Sequence, residues 1–476
     1  MAQILFGQSY YLRFDPKLWK AMQPYPPLGT LYAASWLRQH RYEVALFDAM
    51  LAESEGEWEV ALEGHKPQYA IIYEDNFNYL SKMCLLRMRA AAFKMIEMAK
   101  SRGCIVILCG ADVTDHHQEY LAKGADYCII GEGEETLLEL LDQLSGKKAA
   151  AQIVGVASRY TLHVTRRPDI TDLDKLPFPA WDLVDIEKYR SIWMKRHGYF
   201  SMNMVTTRGC PYHCNWCAKP IWGQRYNSRS PENVVAEMKW LKENFAAEHI
   251  WFADDILGLK PNWIERFAAL LREADAVIPF KCLQRADLVN EKTAAALARA
   301  GCKTVWIGAE SGSQKVLDAM DKGDTVADIY NAARLLHAHR IEVGFFLQFG
   351  YPGETWEDVQ KTLRMVHDCA PDDIGISVSY PLPGTKFFER VKLELGEKRN
   401  WIDSEDLAML YRGPFPTEFY RVLHKRVHYE FRMRRAWQKR DWKKVLQTPY
   451  YLIGLFVSEL RLRKQASRSR RLVLNP

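Results

Sequence analysis

Short apolar runs with the pattern of buried strands recur along the first third of the chain, at residues 3–6, 42–48, 69–73 and 104–110. Helical segments separate them, one opening on Pro26-Pro27 and continuing through Leu28-Gly29-Thr30-Leu31-Tyr32. Strands alternating with helices predict a parallel, doubly wound sheet, whose ligands sit at the carboxyl ends of its strands. The connector Leu176-Pro177-Phe178-Pro179-Ala180-Trp181 denies helix and marks a domain boundary. Beyond it the alternation resumes, with apolar runs at 202–205, 249–255, 280–286, 304–310, 343–350 and 374–380. Six strand–helix units predict an incomplete version of the eight-unit TIM barrel, in which strand C-termini carry the chemistry. The expected fold is therefore α/β: a Rossmann-like domain over 1–150, a linker over 151–195, a partial (βα)6 TIM barrel over 196–395 and a helical, basic C-terminal extension over 396–476.

Composition narrows the class. A chain of 476 residues, 48% hydrophobic and 26% charged, is a folded protein of at least two domains. A net charge of +6 is small for this length and, with no RNA-binding module in view, argues against a nucleic-acid partner. Met1-Ala2-Gln3-Ile4-Leu5 lacks the regions of a secretion signal, and no run of about 18 apolar residues appears. With three of ten cysteines clustered at metal spacing, the expectation is a reducing, cytoplasmic setting. The positive charge gathers late, in Arg432-Met433-Arg434-Arg435-Ala436-Trp437-Gln438-Lys439-Arg440 and again at 461–471. Aromatic residues beside arginine clusters suit peripheral contact with the inner membrane surface, and a lipid-like or other small-molecule substrate; the alternative is a helical cap with a solvated basic tail.

The candidate chemistry lies in Arg208-Gly209-Cys210-Pro211-Tyr212-His213-Cys214-Asn215-Trp216-Cys217-Ala218-Lys219, directly after the run at 202–205. Cys210, Cys214 and Cys217 stand at C-x3-C-x2-C. Thiolates are soft ligands for iron–sulfur clusters, zinc or copper, and a 4Fe-4S cube normally takes one cysteine per iron. Three cysteines leave a fourth iron open to a substrate or cofactor. A zinc knuckle would need His213 as its fourth ligand, at a spacing unlike the usual fingers.

This spacing resembles the signature of the radical S-adenosylmethionine (SAM) superfamily, and further motifs follow in that family's order. Gly124-Ala125-Asp126-Tyr127-Cys128-Ile129-Ile130-Gly131-Glu132-Gly133-Glu134 is similar to the segment that ends the cobalamin-binding domain of some members, and the proline-rich connector to the linker that follows it. The resemblance implies a 4Fe-4S cluster on Cys210, Cys214 and Cys217, SAM as cosubstrate, and a one-electron reductant such as flavodoxin or ferredoxin. It also implies cobalamin held without a histidine lower ligand, because residues 8–15 lack the Asp-x-His-x-x-Gly of histidine-ligating domains. His116-His117, read as a polar loop, are expected to be solvated rather than ligands. The resemblance further implies SAM contacts at Asp254 and Asp255, at Arg285 with Gln284 beside it, at Glu310 and Ser311 of a GxESGS element, at Lys322, and at Gly350 and Pro352 of a GxPGET turn. A helix cap for the Asp254-Asp255 pair and an ordinary exposed state for Lys322 are the bland alternatives. Methylation of an unactivated carbon is the implied reaction, and oxidative cyclase-type chemistry the alternative.

Overall fold

The structure, a computed structural model, describes residues 3–83, 85–149, 151–161, 163–217 and 221–474. Met1, Ala2, Ala218, Lys219 and Pro476, named in the sequence reading, lie outside the described residues.

The N-terminal sheet consists of β1 (Ile4–Gly7), β2 (Val44–Leu46), β3 (Tyr69–Tyr73), β4 (Ile105–Cys109), β5 (Tyr127–Ile129) and β6 (Val156–Ala157), in the order β2-β1-β3-β4-β5-β6. All pairs are parallel except the antiparallel edge strand β6. Alternate residues of each central strand feed different cores. Leu5, Ala70 and Ile72 pack with Trp58, Leu62, Met95 and Ile96, whereas Ile4, Phe6 and Ile71 pack with Ala34, Leu37, Leu137 and Leu141. Helices therefore cover both faces, as the unbroken apolar runs require. Strand order reverses between β1 and β3, which opens a crevice at their carboxyl ends. His116 and His117 lie within the helix Ala111–Ala122, not in a loop. Buried Val113 and Tyr120 hold that helix against β4 and β5, and it kinks at His116.

The second sheet contains β7 (Ser201–Met204), β10 (His249–Phe252), β11 (Phe280–Gln284), β12 (Cys302–Glu310), β13 (Glu342–Phe349) and β14 (Asp373–Val378), all parallel, in the order β14-β13-β12-β11-β10-β7. A short antiparallel ribbon, β8 (Thr207–Arg208) with β9 (Asn227–Ser228), follows β7. The connecting helices begin where the sequence caps them. Ser230 accepts from Asn233 N ahead of Pro231, and Thr325 and Thr355 form capping boxes with Asp328 and Asp358.

The two sheets share one body. A single apolar cluster runs from Leu28, Leu31 and Tyr32 through Trp181 to Met204, Phe252 and Val378. The segment at 400–404 crosses back to the first domain, where Asn400 donates to Met83 O at 2.9 Å and Ser404 Oγ to Asp15 at 2.5 Å. The helices Thr417–Gln438 and Thr448–Leu474 then pack on each other at the C-terminus. Among the described residues, no helix is long and apolar enough to cross a membrane.

Candidate functional site

The cysteine loop leaves β7 at the carboxyl end of the half-barrel, and its first turn is fixed by Asp254. This carboxylate, 1% exposed, accepts from Thr206 N (2.7 Å), Thr206 Oγ1 (2.9 Å), Thr207 N (2.8 Å) and Thr207 Oγ1 (3.0 Å). Burial lifts it to about 6, against four hydrogen bonds that favour the ionised form. The bland alternative for Asp254 is thus close to what the fold shows: its oxygens are taken up by backbone and hydroxyls, although it braces the loop rather than capping a helix. Asp255 is exposed, and its charge acts on the Tyr79 phenol.

Further along, Asn215 pins the loop on all sides. Its N–H donates to Met320 O (3.0 Å), its Nδ2 to Ala319 O (2.8 Å), its Oδ1 accepts from Tyr351 Oη (2.8 Å) and its carbonyl from Phe387 N (3.0 Å). Cys210, Cys214 and Cys217 are all half-buried. Arg285 Nη1 lies 3.9 Å from Cys214 Sγ, with its guanidinium 3.7 Å from the centre of the Tyr212 ring. That cation suits thiolates better than thiols. Among the described residues no three His, Cys, Asp or Glu side chains converge on one ion position, and His213 is exposed. A cube takes one thiolate per iron, so its ligands need not converge as those of a single zinc do.

Opposite the thiols, β12 ends in an irregularity. The β12–β13 register slips between Gly308 and Glu310, and Glu310 takes a left-handed φ of +54°. Its carboxylate meets Lys322 Nζ at 3.5 Å, and both side chains are buried. Gly308 leaves room for this pair: a Cβ would stand 2.8 Å from Lys322 Nζ and 2.9 Å from Glu310 Oε1. Lys322 is therefore not an ordinary exposed lysine. Burial works against its charge, but Glu310 and Asp324 outweigh burial and hold its pKa above the usual lysine value. Asp324, 2% exposed, has neither carboxylate oxygen hydrogen-bonded among the described residues. Arg285 closes the group, donating to Lys322 O at 2.9 Å and pairing with Asp287. Two buried carboxylates and a buried ammonium beside three thiols can bind a zwitterion, a molecule with both an amino and a carboxylate group.

Other sequence candidates have structural duties. Gln284 donates to Leu257 O at 2.6 Å and does not reach this group. Ser311, fully buried, bonds Thr362 Oγ1 at 3.1 Å and Ser313 N at 3.2 Å. Gly350, at φ +85°, donates its N–H to Glu354 at 2.7 Å and accepts from Tyr411 Oη. Pro352 is half-buried in the same turn.

The carboxyl ends of the two sheets meet at this site. Arg208, 2% exposed and two residues before Cys210, pairs with Glu132 and with Glu134 at 2.7 Å, both from the Gly-Glu-Gly-Glu segment after β5. Burial works against the guanidinium charge, yet Glu134 and Glu132 outweigh it and hold the pKa of Arg208 above the usual arginine value. Trp222 Nε1 also donates to Glu132, at 3.1 Å. From the other side, Tyr79 Oη, after β3, bonds Tyr380 Oη, after β14. Tyr79 keeps 56% exposure although protein surrounds it, as a wall of an open cleft does. These contacts join residues far apart in sequence, and only the Gly-Glu-Gly-Glu segment and Arg208 itself had drawn attention beforehand. At the β1/β3 crevice, Gln8 Nε2 and Tyr10 Oη are buried without a partner among the described residues, next to a loop with no histidine. Such a crevice can take a large polar-edged cofactor but offers no imidazole ligand from that loop.

Residues 204–366 match the family model of the radical SAM superfamily. An uncharacterized methyltransferase of Pyrococcus horikoshii is 28% identical over 76% of this chain and 78% of its own. The anaerobic magnesium-protoporphyrin IX monomethyl ester cyclase of Synechocystis is 26% identical over 66% of this chain and 63% of its own. In fold, the chain resembles the radical SAM methyltransferase TsrM of Kitasatospora setae, solved with cobalamin and a [4Fe-4S] cluster, with a TM-score of 0.65 at 20% identity over 82% of this chain and 78% of that one. With its cysteine loop at the carboxyl end of a parallel half-barrel, the chain carries a radical SAM domain over residues 204–366.

Proposed function

We propose that this enzyme is a cobalamin-dependent radical SAM methyltransferase acting on an unactivated carbon of a small-molecule or lipid-like substrate. The observation that carries the reading is the junction itself: Arg208, two residues before the first cysteine, latches the thiol loop to Glu132 and Glu134 at the carboxyl end of the first sheet. When bound, a 4Fe-4S cluster would supply the electron for reductive cleavage of SAM to methionine and a 5'-deoxyadenosyl radical, and cobalamin would supply the methyl group.

In this reading Cys210, Cys214 and Cys217 hold the cluster, and Arg285 balances its negative charge. Lys322 faces the SAM carboxylate, and Glu310 and Asp324 accept from its amino group and ribose. Asp255 lines the cleft, and the Gly350–Pro352 turn supplies backbone near the adenine. Gln8 and Tyr10 meet the corrin edge, without a histidine ligand. Tyr79 and Tyr380 wall the cleft between the two sheets. A one-electron reductant such as flavodoxin or ferredoxin supplies the electron, in the reducing cytoplasm that clustered thiols require. The test is anaerobic incubation with SAM and dithionite. The reading expects 5'-deoxyadenosine from the wild type and none from Cys214→Ala with its fold intact; equal product from both would overturn it. Cyclase-type oxidation, raised by the cyclase among the relatives, is the outcome if deoxyadenosine forms but no labelled methyl group leaves SAM.

A further inference from the structure

The C-terminal extension is apolar on two faces. One face of Thr448–Leu474 is internal: Tyr451, Ser458, Leu462 and Ala466 are buried, and Gly454 lies so close to Tyr429 that a Cβ would stand 2.6 Å from its ring. The other face carries Tyr450, Ile453, Phe456 and Leu460, each between 54% and 66% exposed, about 15 Å along the axis. Leu446 (82%) and Trp442 (65%) continue this stripe before the helix begins. Of the 18 large hydrophobic side chains exposed among the described residues, nine fall between positions 437 and 460. A helix bearing an apolar stripe on its outer as well as its inner face has a surface built to be covered.

Charge identifies the cover. Residues 437–464 hold seven Lys and Arg against two Asp and Glu. Both acids are engaged, Asp441 with Lys444 at 2.8 Å and Glu459 with Arg426 and Arg463. Arg440, Lys443, Arg461 and Lys464 remain exposed at the two ends of the stripe. Part of the basic run serves the fold instead: Arg434 donates to Val366 O and Pro371 O, each at 2.9 Å, and Arg435 to Asp372 O. A second copy laid symmetrically on this stripe would bring the same cations together. A surface of anionic headgroups over acyl chains complements both the cations and the apolar row, and Trp442 and Tyr450 are the residue types that settle at such a boundary.

We propose that this outer face docks on an anionic phospholipid bilayer, so that the enzyme works from the membrane surface. The inference is independent of the reaction carried out in the cleft. The test is co-sedimentation of the full-length protein with vesicles of phosphatidylcholine alone or mixed three to one with phosphatidylglycerol. Wild type should sediment with the mixed vesicles, less so as salt rises, and hardly with the neutral ones. The variants Ile453→Asp with Phe456→Asp, and Arg440→Glu with Lys443→Glu, lie on exposed positions and should keep the wild-type melting temperature while weakening vesicle binding by ~30-fold or more. Absence of binding to mixed vesicles, equal binding to neutral ones, or wild-type binding by both variants would overturn the proposal. So would a concentration-dependent dimer lost with Ile453→Asp and Phe456→Asp, or displacement from vesicles by a single-stranded RNA oligomer.

Discussion

Replacing Arg208 with Met should loosen the junction between the two sheets, and the size of the loss follows from what is left behind. Arg208 is 2% exposed and faces two carboxylates, Glu132 and Glu134, that are themselves buried. Met fills most of the volume but strands both carboxylates. Removing one partner of a buried ion pair typically costs about 3–5 kcal/mol, mostly the penalty of an uncompensated buried charge. Glu132 already sits above the usual carboxylate range, because its burial outweighs the pull of Arg208. Loss of Arg208 can only raise it further. A carboxyl raised in the folded state contributes fully below its unfolded value and loses that contribution as pH rises through its folded value. The deficit of Arg208→Met should therefore be largest near pH 8 and shrink toward pH 5. Trp222, whose indole donates to Glu132, provides a local fluorescence probe in urea titrations, with circular dichroism as the global one. Glu132→Gln should cost less, about 1–2 kcal/mol, since the amide oxygen still accepts from Trp222 and Arg208 and only the Ile170 N–H loses its acceptor. Wild-type stability of Arg208→Met at pH 8, or a deficit independent of pH, would refute the reasoning.

Other consequences follow from the same geometry. Lys322→Ala should weaken SAM binding about 10-fold or more, read by equilibrium dialysis, because it removes the one buried ammonium beside Glu310 and Asp324; unchanged affinity would remove Lys322 from the site. Gly308→Ala should leave the melting temperature within a few degrees, since its Cβ meets only flexible side-chain ends, yet lower SAM affinity by displacing Lys322 and Glu310; full affinity would contradict their placement. Asp254→Ala strands four donors under the cysteine loop and should cost about 2–4 kcal/mol in urea titrations, together with loss of bound iron after reconstitution. Burial pushes Glu354 up to about 8, so the wild type should lose stability relative to Glu354→Gln as pH rises through 8; parallel pH profiles would show that Glu354 ionises normally.

Strand positions in the first sheet were legible because helices cover both of its faces, so each buried central strand reads as an unbroken apolar run. Tyr69–Tyr73 and Ile105–Cys109 were readable for that reason. The cysteine loop was legible because its three cysteines lie within eight residues. Pattern alone did not settle a side chain's state where that state depends on distant residues. Lys322 was singled out by its motif, but its burial rests on the fold that brings Glu310 beside it. Asp254 and Asp255 are adjacent carboxylates in sequence, and only the path of the chain after β10 decides that one staples Thr206 and Thr207 while the other is exposed. His116 and His117 read as a loop because the helix around them offers few apolar positions of its own. The basic run at 432–440 mixes arginines that bond carbonyls with cations that face solvent, a division no composition reveals.

The measurement that bears most directly on the two-cofactor account is anaerobic reconstitution with iron, sulfide and hydroxocobalamin, followed by desalting and an absorption spectrum. The account predicts corrin bands together with broad cluster absorption, with the cluster lost from Cys214→Ala while the corrin stays. Cluster absorption without corrin would contradict it, leaving a radical SAM enzyme whose N-terminal domain only shapes the substrate cleft.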